Sequence, residues 1–499
     1  MDQTTEFITS ELFTIVQEKL NGSTNVYMVG GAIRDVLLTR PIHDMDFVVI
    51  GNAGKVAKKL ADELQGGFYM LDEERDIARV VLNQKHGKKF YLDFSSLRDE
   101  NLFKDLSARD FTINAMALNM AQPEQIIDPL KGLKDIKAGY LQICNPGSFH
   151  DDPIRVIRAV RMAVQFNLKI TDNTLVALKA EIENLNKVSQ ERIRDELFRM
   201  LESDNVATAI RLLDHLKILK TIWPELAALK NVKQGDKHCS DVWDHTLATV
   251  QGLEDLLQVL VGEFDQNGPE NYITGIAAAS LGRYRENLEN HFQQSLNTLR
   301  SRRGLLFYAA LYHDCGKPAV APLNGDEKND FIGHDMLAGS MVRDAARKLR
   351  LSENEVDAVN LMVKEHMQLH ILGLDGKTPT RREIHQFFKR NRSFGVDLTL
   401  LFLADLIGKY QHTLPQDVWQ EKVNQARVFL QAYFDEFDEV VNPPKLVSGA
   451  EIMKEFHIAA GPQVGTILEE VQARQAEGSI TTRAQAMSCV KNLLKEKTA

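Results

Sequence analysis

Cysteine is scarce in this chain. Only four are present among 499 residues, at Cys144, Cys239, Cys315 and Cys489, and their spacing matches no metal-binding motif. Scattered cysteines of this kind are typical of reduced thiols, so the sequence excludes the class of small secreted proteins that disulfides hold together.

Long apolar runs, internal repeats and low-complexity tracts are also missing. No apolar stretch is long enough to span a bilayer, and the N-terminus MDQTTEFITSELF is acidic and polar, unlike a signal peptide. We therefore expect a cytoplasmic protein without a membrane partner. A length of 499 residues predicts two to four domains.

An excess of positive charge is absent as well. The net charge is −9, whereas surfaces that bind nucleic acid are usually basic. Basic residues nevertheless cluster locally, at Arg155, Arg158 and Arg161, at Arg192 and Arg194, and in RREIHQFFKRNR from Arg381. An acidic protein can bind RNA along such patches; the alternative is that each is a solvated helix face.

The pattern of the chain changes near residue 145. Short β-branched runs such as DFVVIG and ARVVLN alternate with helical segments before this point, and the pattern is almost entirely helical after it. The sequence predicts an α+β protein with a mixed α/β head over 1–145, a helical neck over 146–230, a histidine-bearing helical domain over 231–435 and a helical tail over 436–499.

The string VYMVGGAIRDVLLTRPIHDMDFVV is the most informative of the head. Gly30 and Gly31 let backbone N–H groups approach phosphate oxygens, with a helix N-terminus and Arg34 behind them. Asp44 and Asp46 are two apart in an apolar run, so both carboxylates point to one face of a strand and can share divalent cations. A phosphate cradle beside paired carboxylates is what nucleotidyl transfer requires.

Two further aspartates of the head can have a structural role. Asp93, in KFYLDFSSLR, is either a third carboxylate of the metal site or a cap at a strand end. In LSARDFTINAMAL, Asp110 can cap a helix that starts near Phe111.

Asp152 and Arg155 lie three apart in DDPIRVIRAVRMA, on one face of a predicted first helical turn with Pro153. A carboxylate acceptor and a guanidinium donor together can mimic a Watson–Crick edge and so select a nucleotide without a template. The alternative is an intrahelical ion pair. Arg158 and Arg161 continue the same face and suit phosphate groups.

These strings resemble the signature of the DNA polymerase β-like nucleotidyltransferase superfamily. More narrowly, the chain is similar to class II tRNA CCA-adding enzymes and bacterial poly(A) polymerases, whose pattern is GGxxRD followed by DxD. By this resemblance, Arg109, Asp110 and Asn114 match the RRDFTINA motif that contacts the nucleotide sugar, and Ala108 replaces its first arginine. Asp152 and Arg155 match the EDxxR motif.

A second group of motifs lies in the predicted histidine-bearing domain. His313 and Asp314 in LYHDCGKP resemble the HD phosphohydrolase motif, His245 matches its upstream histidine and Asp405 its downstream aspartate. Such a set can hold a divalent transition metal, Ni²⁺, Mn²⁺, Co²⁺ or Fe²⁺, with a bound water as nucleophile. His334 and His366 can extend it to a second metal.

The resemblance implies a template-independent tRNA nucleotidyltransferase. The expected partners are tRNA, CTP and ATP, the cofactor is Mg²⁺ in the head, and a second, phosphohydrolase activity is possible in the HD domain. The alternatives are a poly(A) polymerase, and an HD phosphohydrolase whose head only binds nucleotide or RNA. The resemblance is compatible with full CCA addition, CC-only addition and A-only addition.

Overall fold

The computed structural model describes residues 11–20, 25–42, 44–83, 89–97, 101–234, 241–262, 271–297, 300–320, 331–372 and 378–496. The chain divides into two compact units, Met1–Val188 and Ser189–Ala499, so the division falls inside the predicted neck. The first unit contains the β-sheet and the second is helical, which confirms the predicted α+β class. Within the described residues, no helix has the length and hydropathy that crossing a membrane requires.

Seven strands form the sheet of the first unit, in the order β3-β4-β5-β2-β1-β6-β7. Their bounds are β1 Val26–Val29, β2 Asp44–Val49, β3 Gly67–Asp72, β4 Ile77–Asn83, β5 Lys89–Ser96, β6 Ala117–Asn119 and β7 Gln122–Ile127. A separate two-stranded pair joins β8 Tyr140–Leu141 and β9 Lys169–Ile170. Strands β2 and β5 pair in parallel, and the other neighbours in the large sheet are antiparallel.

Strand β2 reads DMDFVV, and its alternation separates a buried face from a polar one. Met45 and Phe47 are buried in the core below the sheet, where the Phe47 ring stacks on Phe94 with centroids 4.7 Å apart. Burying one such side chain contributes about 1.5–3 kcal/mol to stability. Because successive side chains alternate, Asp44 and Asp46 are directed to the opposite, exposed face, as the sequence predicts.

The helices of the first unit surround this sheet. They are α1 Glu11–Leu20, α2 Gly31–Leu37, α3 Ala53–Leu64, α4 Leu102–Ser107, α5 Gly132–Ala138, α6 Ser148–Asp151, α7 Arg155–Gln165 and α8 Asp172–Glu181, with 3₁₀ turns at Thr112–Asn114 and Ile182–Lys187. Two predictions about helix starts are wrong. The helix expected near Phe111 is only the three-residue 3₁₀ turn, because strand β6 follows it directly. The helix expected to include Pro153 in its first turn begins at Arg155.

The second unit is built from helices of varied length. They are α9 Gln190–Leu201, α10 Val206–His215, α11 Leu219–Ile222, α12 Pro224–Ala227, α13 Val242–Leu260, α14 Tyr272–Leu281, α15 Arg285–Gln293, α16 Arg302–Tyr312, α17 Lys317–Val320, α18 His334–Lys348, α19 Glu353–Glu365, α20 Gln368–Leu372, α21 Arg381–Asn391, α22 Phe394–Tyr410, α23 Gln416–Phe434, α24 Gly449–Phe456, α25 Pro462–Ala476 and α26 Arg483–Glu496. Short 3₁₀ turns lie at Gly282–Tyr284 and Gln411–Thr413, and a π-turn at Phe437–Val441.

Helix α22 lies at the centre of the second unit. Its sequence FGVDLTLLFLADLIGKY is apolar on nearly every face, which is typical of a helix that is packed all round. It packs along α13. Each of these two helices carries residues of the predicted metal site, so their packing brings His245 and Asp405 together.

Candidate active site and candidate metal centre

Three carboxylates converge on the exposed face of the head sheet. Asp46 on β2 and Asp93 on β5 are register partners on parallel strands, and Asp44 lies on the same face as Asp46. Asp93 lies inside β5, so the alternative that it caps a strand end is wrong. Asp46, Asp93 and Arg109 line a cleft of about 220 Å³.

The charges in this cleft change the ionisation of its central carboxyl group. Removal from water raises the pKa of Asp46 to about 6, although part of its side chain stays accessible, and the charges of Asp44 and Asp93 act in the same direction. The nearby guanidinium groups of Arg109 and Arg79 oppose the rise. A carboxyl group that resists ionisation beside two other carboxylates fits a site for hard divalent metal ions.

Gly30 brings the backbone close to this cluster. Its φ is +79°, a left-handed conformation that glycine adopts readily. A Cβ at this position would lie 3.1 Å from Arg109 Nη1, which would have to shift slightly, and in ordinary contact with Asp46 Oδ2 at 3.6 Å. Helix α2 begins at the next residue, Gly31, as the motif predicts.

Arg34 places its guanidinium beside Gly31, where neighbouring residues of the protein engage it. Its guanidinium is buried, pairs with Asp35 at 2.8 Å, donates from Nη1 to Asn114 Oδ1 at 2.5 Å and lies 4.3 Å from the centre of the Phe166 ring. The structure therefore gives Arg34 a structural role that the sequence did not reveal, and a direct phosphate contact would require these bonds to rearrange.

The Asp110 carboxylate is the centre of a buried network. It accepts hydrogen bonds from the Phe111 N–H at 2.8 Å, from Asn114 Nδ2 at 3.0 Å and from Arg158 Nη1 at 3.1 Å. Burial opposes ionisation, but the Arg158 charge and these bonds outweigh it and lower the pKa of Asp110. This network links the loop of the predicted sugar motif to helix α7.

Asp152 and Arg155 are close together but do not share a helix. Asp152 has an extended backbone at the end of α6, and its Oδ2 lies 3.9 Å from Arg155 Nε. The shared helical turn that both readings expected is therefore wrong, whereas the ion pair itself is present, between the end of α6 and the start of α7. The Arg155 guanidinium also donates to the Ala108 carbonyl at 2.9 Å and to Ser148 Oγ at 2.8 Å, which fixes its orientation. Arg161 donates to Gln165 at 2.9 Å on the same helix.

The predicted HD residues meet in the buried interior of the second unit. His245 Nε2 lies 2.9 Å from Asp405 Oδ1 and 3.2 Å from Asp314 Oδ2. His313 Nε2 also lies 3.2 Å from Asp314 Oδ2. On the other side, Asp314 Oδ1 lies 3.2 Å from His334 Nε2 and 3.9 Å from His366 Nε2, so this carboxylate joins two groups of possible metal ligands.

Backbone carbonyl groups orient three of these imidazoles. Nδ1 of His313, His334 and His366 lies 2.7–2.9 Å from the carbonyl oxygen three residues earlier in each case. Because a carbonyl can only accept, each Nδ1 carries a proton and donates, which leaves Nε2 directed at Asp314. Histidines held in this way are typical metal ligands, so the residues present fit a divalent transition metal.

Without a cation, the pKa values of two of the buried imidazoles, His313 and His366, are shifted in opposite directions. Burial disfavours the charged form of His313, but the Asp314 charge outweighs it and raises the pKa of His313 to about 10. Burial and the nearby His313 charge lower the pKa of His366 to about 3.

Sequence reasoning missed two residues of this centre. His370 Nε2 lies 2.7 Å from Asp405 Oδ2, and Lys317 Nζ lies 2.6 Å from Asp314 Oδ2. The spacing of His370 after His366 in KEHMQLH could have indicated the first. Gly316 is also required, because a Cβ there would lie 2.2 Å from the His334 carbonyl oxygen.

The basic run from Arg381 contacts acidic residues of the same unit. Arg382 pairs with Glu470 and Glu477, and Lys389 with Glu469, all on or next to helix α25. Arg381 pairs with Glu436. These pairs connect α21 to the tail. The sequence indicates an RNA-binding patch or a solvated helix face for this run, and neither interpretation predicts the pairs.

Comparison with known proteins agrees with these features. Residues 26–142 match the family described as Poly A polymerase head domain, and residues 167–230 match the family described as Probable RNA and SrmB- binding site of polymerase A. A Multifunctional CCA protein of Neisseria gonorrhoeae is 30% identical over 359 residues, which are 70% of this chain and 75% of that protein. The chain belongs to the class II family of CCA-adding enzymes and poly(A) polymerases.

Alignments with further relatives cover nearly the whole chain. An A-adding tRNA nucleotidyltransferase of Deinococcus radiodurans is 28% identical over 478 residues, covering 94% of this chain and 95% of that protein. A CC-adding tRNA nucleotidyltransferase of Thermus thermophilus is 27% identical, covering 93% and 92%. A solved CCA-adding enzyme in complex with CTP has the same fold, with a TM-score of 0.62, 20% identity and coverage of 99% and 97%.

Proposed function

We propose that this protein adds nucleotides from CTP and ATP to the 3′ end of tRNA without a template. The observation that carries this proposal is the convergence of Asp44, Asp46 and Asp93 beside Gly30, in a chain of the class II family. The relatives named for tRNA nucleotidyl transfer, which cover more than nine-tenths of the chain, support tRNA as the substrate.

The head carboxylates would hold Mg²⁺. Mg²⁺ held by these residues would supply activation of the attacking hydroxyl and neutralisation of charge on the leaving pyrophosphate. Asp44 and Asp46 supply oxygen ligands from one face of β2, and Asp93 supplies a third from β5. Gly30 leaves room for a phosphate to approach the backbone, and the guanidinium of Arg109 lies beside that space.

Residues of the neck and of the head would recognise the nucleotide together. Asp152 offers acceptors and Arg155 offers donors, 3.9 Å apart, which is the complementarity that reading a base edge requires. Asp110, held by Arg158 and Asn114, would accept from the nucleotide sugar. Gly31 and Arg161 would lie on the phosphate side of the site, and Arg34 would contact a phosphate there only after its bonds to Asp35 and Asn114 rearrange.

The relatives differ in which nucleotides they are named for adding, so the nucleotides that this protein adds are tested directly. The A-adding, CC-adding and multifunctional proteins are 27–30% identical to the chain over long alignments. The test uses tRNA transcripts that end before CCA, after C and after CC, each with one labelled nucleotide. Incorporation of CTP, ATP or both in the order of the CCA sequence supports the proposal. Long oligo(A) products on any RNA would indicate a poly(A) polymerase, and no incorporation would indicate a binding head.

The second unit has the geometry for a separate hydrolytic activity. We propose that His245, His313, Asp314 and Asp405 hold a divalent transition metal, with His334 and His366 facing the second oxygen of Asp314. A metal held by these residues would supply the Lewis acidity that lowers the pKa of water for hydrolysis of a phosphate ester.

The expected domains are the head over 1–145, the neck over 146–230, the HD domain over 231–435 and the tail over 436–499.

A further inference from the structure

Arg79 stands in a row with two of the head carboxylates. Arg79 on β4 is the register partner of Asp93 on β5, and Asp93 is the register partner of Asp46 on β2. Register partners direct their side chains to the same face of a sheet. The guanidinium therefore lies at the edge of the carboxylate cluster, with Asp93 between it and Asp46.

Arg79 holds both oxygens of Asp93. Its Nε donates to Oδ1 at 2.7 Å and its Nη2 to Oδ2 at 2.7 Å, a two-point contact that fixes the plane of the carboxylate. The guanidinium also lies 4.9 Å from the centre of the Tyr91 ring, and Tyr91 is the register partner of Asp44. The arginine is thus held on two sides before any substrate binds.

This contact has a consequence for metal binding. Three carboxylates that converge repel one another, so a free Asp93 would turn away from Asp46. A carboxylate that accepts one hydrogen bond at each oxygen keeps a second lone pair on each, and these remain available to a cation.

We propose that Arg79 is a positioning residue for nucleotidyl transfer, which fixes the Asp93 carboxylate in the orientation that completes the divalent-cation site of Asp44 and Asp46. The inference rests on the proposed function of the head. Its effect on metal binding is measurable without turnover.

Arg79→Lys isolates the geometry from the charge. Lysine keeps the positive charge, but its single ammonium group cannot bind both oxygens of Asp93 in the planar fork that arginine provides. Arg75→Lys is the matched control, since Arg75 makes an exposed contact to Asp72 at 3.8 Å on the neighbouring turn. Both variants are made in the full chain.

Mn²⁺ binding is followed by electron paramagnetic resonance. The part of the binding that Asp46→Asn removes is assigned to the head site. We expect Arg79→Lys to weaken this binding about 10–100-fold, the usual effect of losing a residue that orients a metal ligand. The same variant should lower kcat with KM for CTP and ATP changed less than about threefold. Arg75→Lys should match the wild type in both.

Two results would overturn the inference. In the first, Arg79→Lys binds Mn²⁺ as the wild type does, so the pair only joins two strands. In the second, Arg79→Lys lowers kcat further in an Asp93→Asn background. A residue that acts only through the Asp93 carboxylate has no further effect there, so this result would mean that Arg79 contacts the substrate itself. If the wild type incorporates no nucleotide, the proposed function fails, but the Mn²⁺ measurement still decides whether Arg79 positions Asp93.

Discussion

Asp46 and Asp93 stand side by side on parallel strands, although a helix and two further strands separate them in the sequence. Their carboxylates, with that of Asp44, form the candidate metal site of the head. We expect Asp44→Ala or Asp46→Ala to lower nucleotide incorporation by at least about 100-fold, because lost charge stabilisation by metal is worth several kcal/mol. Asp62→Ala, an exposed carboxylate on α3, is the control. Substantial incorporation by a folded Asp46→Ala protein would contradict the catalytic assignment.

The raised pKa of Asp46 predicts how pH acts on the metal-free protein. An ordinary aspartate titrates near 3.9, whereas Asp46 titrates near 6 in the folded protein. The native state therefore binds more protons between these values, and the free energy of unfolding contributed by this group falls as pH rises from about 4 to about 6.

Asp46→Asn should reverse this loss. We expect the variant to be more stable than the wild type by about 1 kcal/mol at pH 8 in EDTA, a value reduced by solvent screening of the accessible carboxylate, and nearly equal at pH 4. Urea unfolding at both values measures the difference. Mg²⁺ at pH 8 should stabilise the wild type more than the variant. An equal effect of the substitution at pH 4 and pH 8 would show that Asp46 titrates normally.

Arg155 tests nucleotide selection. Its guanidinium is oriented by Ala108 and Ser148, so it can present donors in a fixed direction. Arg155→Ala should weaken discrimination of CTP and ATP from UTP and GTP by about 1–3 kcal/mol. Misincorporation with single nucleotides measures this, with the exposed Lys179→Ala on α8 as control. Unchanged fidelity with a lower overall rate would mean that Arg155 only holds the loop.

Asp314 tests whether the two sites act independently. Asp314→Asn keeps the shape of a side chain that faces His245, His313 and His334, but removes its charge. It should abolish hydrolysis of phosphomonoesters or 2′,3′-cyclic phosphates with Ni²⁺, Mn²⁺, Co²⁺ or Fe²⁺, and leave tRNA extension largely intact.

Both activities are measured on one preparation, with circular dichroism as the check on folding, since an unpaired buried histidine costs stability. Loss of extension in a folded Asp314→Asn protein that still binds tRNA would contradict independence. If the wild type hydrolyses neither substrate with any of the four metals, the hydrolytic proposal is wrong.

Gly316 tests the packing that brings His334 to Asp314. Gly316→Ala places a methyl group against the His334 carbonyl and should destabilise the protein by about 1–3 kcal/mol, with weaker binding of Mn²⁺ to the HD site. Gly465→Ala is the matched control, because Gly465 is exposed on α25 and no neighbouring group lies within 4 Å of the added methyl, and it should stabilise by about 0.5–1 kcal/mol. Thermal unfolding compares the two; equal effects would mean that the close approach is unimportant.

The sequence by itself determined the local parts of this protein. The alternation of DMDFVV places Asp44 and Asp46 on one face, since side chains of a strand alternate. The GG pair begins helix α2 as expected. The tail helix was also predictable, because Gly461 and Pro462 mark its start and Gly478 follows its end. Each of these depends on neighbours along the chain.

The HD resemblance had already grouped His245 with Asp405, but only the tertiary structure decided how distant groups meet. Strand order places Asp93 rather than another carboxylate beside Asp46, and gives it Arg79 as a partner. The packing of α13 and α22 sets His245 against Asp405. No spacing in the sequence contains this information, because strand register and helix packing arise from burial of apolar surface over the whole unit, and polar side chains are brought together as a consequence.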